Sequence, residues 1–218
     1  SFAAACGLFA SFCFTLQYLP QCYLNFRRKS VKGFSTFGIV IKHVGACFLL
    51  VNAYATGENI TVMLYGLFNV LQHSMFMIQF SVYPSTDGRV GNFYPWLLLP
   101  LLPYLLGVYA PWTMAYTNSI KPLAQLVSHL PQLELCYRIK TTSGCSLTTQ
   151  HLNMVGGVAG LIMCFILPPK SSFTYLLYTN SMFQALSLYT LWLMYDRSRT
   201  PQEREAAPPP PPAVSVGP

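Results

Sequence analysis

The pair Pro20-Gln21 returns as Pro131-Gln132, and the same shift of 111 positions carries Arg27 onto Arg138, Lys29 onto Lys140, Gly33 onto Gly144 and Ser35 onto Ser146. The chain is an internal duplication, so whatever one half folds into, the other folds into as well. Each copy is an apolar segment ending in Leu-Pro-Gln, then a basic turn, then a Gly-x-Ser that opens a second apolar segment (QYLPQCYLNFRRKSVKGFS and SHLPQLELCYRIKTTSGCS).

Of the 218 residues 53% are hydrophobic and 9% charged, and the mean hydropathy is +0.41. A soluble domain carries about 25% charged residues, so the composition predicts a membrane protein. Apolar stretches near 2–26, 35–55, 60–83, 95–111, 117–137, 147–167 and 173–195 are of spanning length, about 17 to 25 residues for a helix. Runs such as LIMCFIL lack the alternation of barrel strands. The expected fold is an all-α membrane protein of about seven transmembrane helices. The stretch 2–26 carries a Pro-Gln pair and precedes six further spans, which speaks against a cleaved signal. The chain opens at Ser1 rather than methionine, as expected of a piece lacking upstream residues.

Spans one to three (1–83) and five to seven (117–195) form the two repeats, and 84–116 holds the connecting fourth span. A three-span unit crosses an odd number of times, so one extra crossing lets the second copy run parallel to the first. The expected plan is 3+1+3. Thirteen Lys and Arg against six Asp and Glu give a net charge of +7. A soluble chain with that balance suggests nucleic acid, but here Arg27, Arg28, Lys29, Lys32, Arg89, Arg138, Lys140, Arg197, Arg199 and Arg204 follow the odd-numbered spans. The positive-inside rule then puts the start of the chain in the lumen and its end in the cytosol. On that orientation the sequon Asn59-Ile60-Thr61 is a lumenal glycosylation candidate. Residues 196–218 read as a disordered cytosolic tail whose run from Pro208 to Pro212 reads first as a plain linker and second as a weak SH3 or WW ligand. Seven scattered cysteines without a CxxC suggest neither disulfides nor a metal site, and no pattern calls for a cofactor or enzymatic chemistry.

Pro20 and Pro131 each remove a backbone hydrogen bond inside a span and clash with the carbonyl one turn earlier, that of Leu16 or Val127. Matching breaks in two repeats mark moving, site-forming elements, so Pro20, Gln21, Pro131 and Gln132 are hinge candidates. The shift of 111 also pairs Asn69 with Asn180 and His73 with Gln184. In each copy these residues are four apart on one helix face, where polar groups face protein or a water-filled cavity. Lys42 in span two has Asn153 as its mate, and Lys121 opens span five. Asn69, Asn180, Asn153, Lys42, Gln184 and Lys121 are thus candidates for holding a polar solute. His73 is the candidate proton carrier, since imidazole titrates nearest physiological pH. No carboxylate falls near a span's centre, which disfavours both a carboxylate proton relay and a cationic solute.

The two Pro-Gln units, each with a basic turn and Gly-x-Ser, resemble the PQ-loop family. LPQCYLNFRRKSVKGFS and IKPLAQLVSHLPQ are most similar to its cystinosin-type lysosomal transporters, with Lys121 on their fifth-helix lysine. Asn69 and Asn180 match the central asparagines of the related SWEET sugar carriers. The sequence departs where cystinosin-type chains carry a proton-coupling aspartate in the sixth helix (Asn153 here) and an aspartate in the seventh (Gln184), and Lys42 replaces an uncharged polar residue. The resemblance implies a carrier of a small polar solute, an amino acid or similar zwitterion, working by alternating access with or without proton coupling in an endosomal or lysosomal membrane. The alternatives are a sugar uniporter and a non-transporting receptor or scaffold.

Overall fold

The first span cannot be one continuous helix, because the residue at position 20 has no N–H to offer the carbonyl of Leu16. In the computed structural model, which describes residues 2–58, 60–168 and 173–199, α1 (Phe2–Leu16) stops there, Gln17 and Tyr18 form a turn, and α2 (Leu19–Arg28) restarts. Asn59 of the sequon and the proline run from Pro208 to Pro212 lie outside the described residues. α2 ends at Lys29, whose left-handed φ of 50° costs about 1 to 2 kcal/mol for a residue with a Cβ. Its ammonium lies 3.7 Å from the Phe26 ring centroid, at a helix end where positive charge is favoured. Gly33, with φ 76°, turns the chain back, and the Ser35 side chain accepts from the Gly38 N–H to cap α3 (Thr36–Ala55). α4 (Ile60–Val82) returns across the bundle.

Pro95, Pro100 and Pro103 break up the connector into a 3-10 turn (Tyr94–Leu98) and α5 (Leu101–Tyr109). After α6 (Met114–Thr117), the second repeat copies the first. α7 (Ile120–Val127) stops four residues before Pro131, Ser128 and His129 form the turn, and α8 (Leu130–Ile139) ends on Lys140 with φ 55° and its ammonium 3.7 Å from the Tyr137 ring. Ser146 caps α9 (Leu147–Ile166), whose bounds are those of α3 moved by 111, and α10 (Phe173–Tyr195) closes the chain. Helices thus stand at each of the seven expected places. By length and composition Phe2–Arg28, Thr36–Ala55 and Leu147–Ile166 are able to cross a membrane, and a fourth span forms if Tyr94–Tyr109 and Pro111–Ile139, bent by 113°, count as one. α4 and α10 have the length but carry polar faces, including Asn69, Gln72, His73 and Gln79 in the first.

Packing is crossed between the repeats. α1 lies on α9 and α7 lies on α3, while α3 pairs with α4 and α9 with α10 inside each repeat. Glycines set the close approaches. A Cβ on Gly38 would meet the Ser128 carbonyl oxygen at 2.5 Å, one on Gly45 the Ala124 Cβ at 2.8 Å, and one on Gly156 the Cys13 Cβ at 2.9 Å. Small residues at such crossings are how helices associate in lipid, where apolar burial supplies no drive. The exterior is apolar, with Phe9, Phe12, Leu67, Phe68, Leu71 and Ile78 exposed, whereas Gln21, Asn25, His43, Asn69 and His73 are buried. That inversion of the soluble pattern marks a multi-pass membrane protein.

Asp196, expected as the first tail residue, is fully buried. Its carboxylate accepts from the Thr141 hydroxyl at 2.8 Å, the Thr142 hydroxyl at 2.8 Å and the Thr142 N–H at 2.5 Å, tying the end of α10 to the second basic turn. Asp196→Ala orphans these donors and is expected to cost about 2 to 3 kcal/mol, read as a lowered unfolding midpoint in detergent, with Arg199→Ala, the exposed partner 3.7 Å away, nearly neutral.

Candidate functional site

A backbone carbonyl and a backbone N–H two residues apart can both be satisfied by one side chain only if it offers a donor and an acceptor on the same end, which a primary amide does and a carboxylate does not. Gln21 and Gln132 use their amides in this way, each on the opposite repeat. The Gln21 Nε2 donates to the Gly144 carbonyl at 2.8 Å, and its Oε1 accepts from the Ser146 N–H at 2.6 Å. Gln132 Nε2 donates to the Gly33 carbonyl at 2.9 Å, and its Oε1 accepts from the Ser35 N–H at 2.7 Å. Their amides bond the Gly-x-Ser turn across the pseudo-twofold axis.

That exchange explains the rest of the repeated motif. The turns touch back to back, since a Cβ on Gly144 would lie 2.3 Å from the Gly33 carbonyl carbon. Both glutamines and both serines are buried, so each lost bond leaves an unsatisfied group at about 1 to 3 kcal/mol. The first repeat adds a relay to α4: Gln21 donates to Asn25, Asn25 to Gln79, and Gln79 to the Cys22 carbonyl, each at 2.9 Å. In the second repeat Asn25 is replaced by Cys136, whose Sγ lies 3.2 Å from Gln132 Nε2 and 3.8 Å from the Cys145 Sγ.

Immediately inside this clasp lies a cavity of about 50 Å³ whose walls include Tyr18, Lys42, His129, Asn153 and Gln184. A smaller extension of about 10 Å³ runs on between Lys42, Lys121, Gln125, Asn153 and Gln184. Water occupies about 30 Å³ in the liquid, so the space is on the scale of a water or two. Outside the clasp a groove of about 410 Å³ runs past Arg27, Arg28, Ser143 and Thr148. Cys145 borders both groove and cavity.

Four of the six solute candidates from the sequence therefore meet here: Lys42, Lys121, Asn153 and Gln184. Asn69 and Asn180 do not line the cavities. Asn69 Nδ2 donates to the Tyr65 carbonyl of its own helix at 2.8 Å. Asn180 Nδ2 donates to the Gln125 carbonyl at 3.0 Å, an oxygen that also receives Gln184 at 3.2 Å. His73 sits behind the cavity wall, its ring centroid 4.9 Å from that of Tyr18 and 6.3 Å from that of His43, with neither ring nitrogen hydrogen-bonded among the described residues. The sequence reading missed Tyr18 and His129, which occupy equivalent places in the turns before the two Pro-Gln pairs and both line the cavity. Their shared offset of 111 is the signal that locates them, but their different chemistry hid it. The His129 nitrogens are buried and likewise lack a protein partner among the described residues.

The reciprocal bonds predict that Gln21→Glu and Gln132→Glu, which keep size but remove the donor, destabilise by about 1 to 3 kcal/mol, as much as the alanine variants. Unfolding in detergent checks this, and a glutamate variant as stable as the parent would refute the bonding pattern.

The PQ loop repeat family model matches residues 2–62 and 114–173, which contain both Pro-Gln breaks, both clasp turns and the helices after them. A curated relative from Dictyostelium discoideum, described as a cystinosin homolog, is 25% identical over 181 residues, covering 71% of this chain and 64% of its own length. The chain thus spans less than two-thirds of that relative. With its two matched repeats on either side of a polar centre, the chain belongs to the PQ-loop repeat family.

Proposed function

We propose that the protein is a seven-span carrier that moves a small polar solute of amino-acid size, bearing a carboxylate, by alternating access about its two Pro-Gln hinges. The observation that carries this reading is the position of the clasp: two glutamines bridging the repeats, with a lysine-lined polar cavity on one side and a wide groove on the other. In this reading α1–α2, α3 and α4 form one three-span repeat, α7–α8, α9 and α10 the other, and α5 supplies the odd crossing. The basic turns face the cytosol, which puts the start of the chain in the lumen of an endosomal or lysosomal membrane, and the clasp closes the cytosolic side.

Four clasp bonds, each worth about 0.5 to 1.5 kcal/mol net, sum to a few kcal/mol, the range of a reversible conformational equilibrium. When they part, α2 and α8 swing about the turns at 17–18 and 128–129, and the cavity opens to the groove past Cys145. Lys42, Lys121, Asn153 and Gln184 then hold the solute, Lys42 and Lys121 taking its anionic end. Asn180 shapes the site by holding the Gln125 carbonyl, and Asn69 braces α4. Proton coupling in this scheme runs through His129, the imidazole in the hinge turn that lines the cavity, with His73 as a second layer behind Tyr18.

Uptake of radiolabelled amino acids and sugars into proteoliposomes, with and without a pH gradient, tests the reading. Gradient-driven uptake of a carboxylate-bearing solute, abolished by Gln184→Ala or Asn153→Ala, is the expected result. Gradient-independent sugar flux would make the protein a uniporter, and no flux of any solute would leave a receptor or scaffold. Pro131→Ala is expected to lower the maximal rate several-fold with little change in KM, and an unchanged rate would refute the hinge.

A further inference from the structure

A lysine at membrane depth is costly, and this chain places two at one cavity. Lys42 comes from α3 and Lys121 from α7, helices that pack together where a Cβ on Gly45 would lie 3.3 Å from the Lys121 Cα. Both border the same 10 Å³ extension. Each ammonium rests above an aromatic face, Lys42 at 5.1 Å from the Tyr18 ring centroid and Lys121 at 5.6 Å from that of Tyr65. Such contacts offset only part of the desolvation. Among the described residues, no hydrogen bond or ion pair reaches either ammonium.

The rest of the cavity wall makes the imbalance sharper. Its polar groups include Gln17, Gln125, Asn153, Ser181 and Gln184, all neutral, and no Asp or Glu lines the cavity or its extension. The four described carboxylates sit elsewhere: Glu58 and Asp87 are in loops, Glu134 is on the exposed side of α8, and Asp196 is bound to the second turn. Outside the clasp the groove adds Arg27 and Arg28 and again no carboxylate. A solute that reaches the centre therefore meets two positive charges and nothing negative. A zwitterion would neutralise one lysine with its carboxylate and bring its own ammonium into a positive field.

Resting on the carrier reading above, we infer that the transported solute carries two carboxylates and a net negative charge, a small dicarboxylate or an acidic amino acid, with one carboxylate on Lys42 and the other on Lys121. The neutral amides hold whatever lies between the two anionic ends. Binding two anionic groups removes the repulsion between the lysines, so the solute itself favours closure of the helices around it.

Two measurements on the full chain separate this inference from the carrier reading. In proteoliposomes, labelled succinate, glutamate, alanine and glucose are compared. In detergent, the unfolding midpoint is followed with the same four solutes. The expected result is uptake of succinate or glutamate with little of alanine or glucose, an upward midpoint shift with the same solutes, and a KM raised about tenfold or more by Lys42→Gln but restored by Lys42→Arg, tenfold being about 1.4 kcal/mol. Uptake of alanine or glucose in preference to succinate and glutamate overturns the charge inference and leaves the carrier standing. No flux overturns the carrier; a midpoint shift by succinate that Lys42→Gln abolishes then still supports the paired-lysine site, and no shift by either diacid overturns both.

Discussion

Two amide side chains hold the halves of this protein against one another. Gln21 and Gln132 each bond a backbone carbonyl and a backbone N–H in the opposite turn, and nearly every other repeated feature serves that contact. The prolines break the spans and sit in the first turn of a short second helix that carries the following glutamine to the axis. The glycines remove the Cβ atoms that would keep the turns apart. The serines cap the next helix with their side chains while offering the glutamines their backbone N–H. Basic residues end the short helices, and Lys29 and Lys140 tolerate a left-handed backbone because their ammonium groups fold back over an aromatic ring one turn earlier.

The clasp is symmetric in its bonds but not in its support. Around Gln21 a chain of amides reaches α4, whereas Gln132 is backed by two thiols. At the ends of the repeats the difference reverses. The second turn is tied to α10 through the buried Asp196 carboxylate, while the first donates to the Pro84 carbonyl and the Thr86 hydroxyl, both neutral. Charged or charge-assisted bonds are about twice as strong as neutral ones, so the second turn is anchored from its own repeat and the first from the clasp side. The two turns are therefore held from different sides and by bonds of unequal strength.

The polar interior is a second constraint. In lipid, amides and lysines are tolerated where they meet one another or line a cavity, and the helices here turn their polar faces inward and their Phe and Leu outward. That sorting puts Lys42 and Lys121 at one cavity although they stand in different repeats at unrelated offsets. The charge character of the site is thus a product of the crossed packing of α3 with α7.

Local rules made much of this legible in advance. Span positions follow from apolar length, the breaks at Leu16 and Val127 from the chemistry of proline, and the agreement between α3 and α9 from the shift of 111. Lys42, Lys121, Asn153 and Gln184 were recognisable because polar groups in an apolar run need a reason to be there. What the amino-acid order could not specify was partnership. It showed that each glutamine needs a donor and an acceptor, but only the packed helices decided that these lie in the other repeat. It showed Asn69 and Asn180 as twins, but helix rotation gave one its own backbone and the other the Gln125 carbonyl. It left Asp196 in the tail, where a charge next to Arg197 looks solvated, and tertiary structure buried it against two threonines. Sequence alone determined the repeat, the helices and the places where they break, because those depend on residues a turn apart. The clasp, the cavity and its two lysines were decided by contacts between residues about a hundred positions apart.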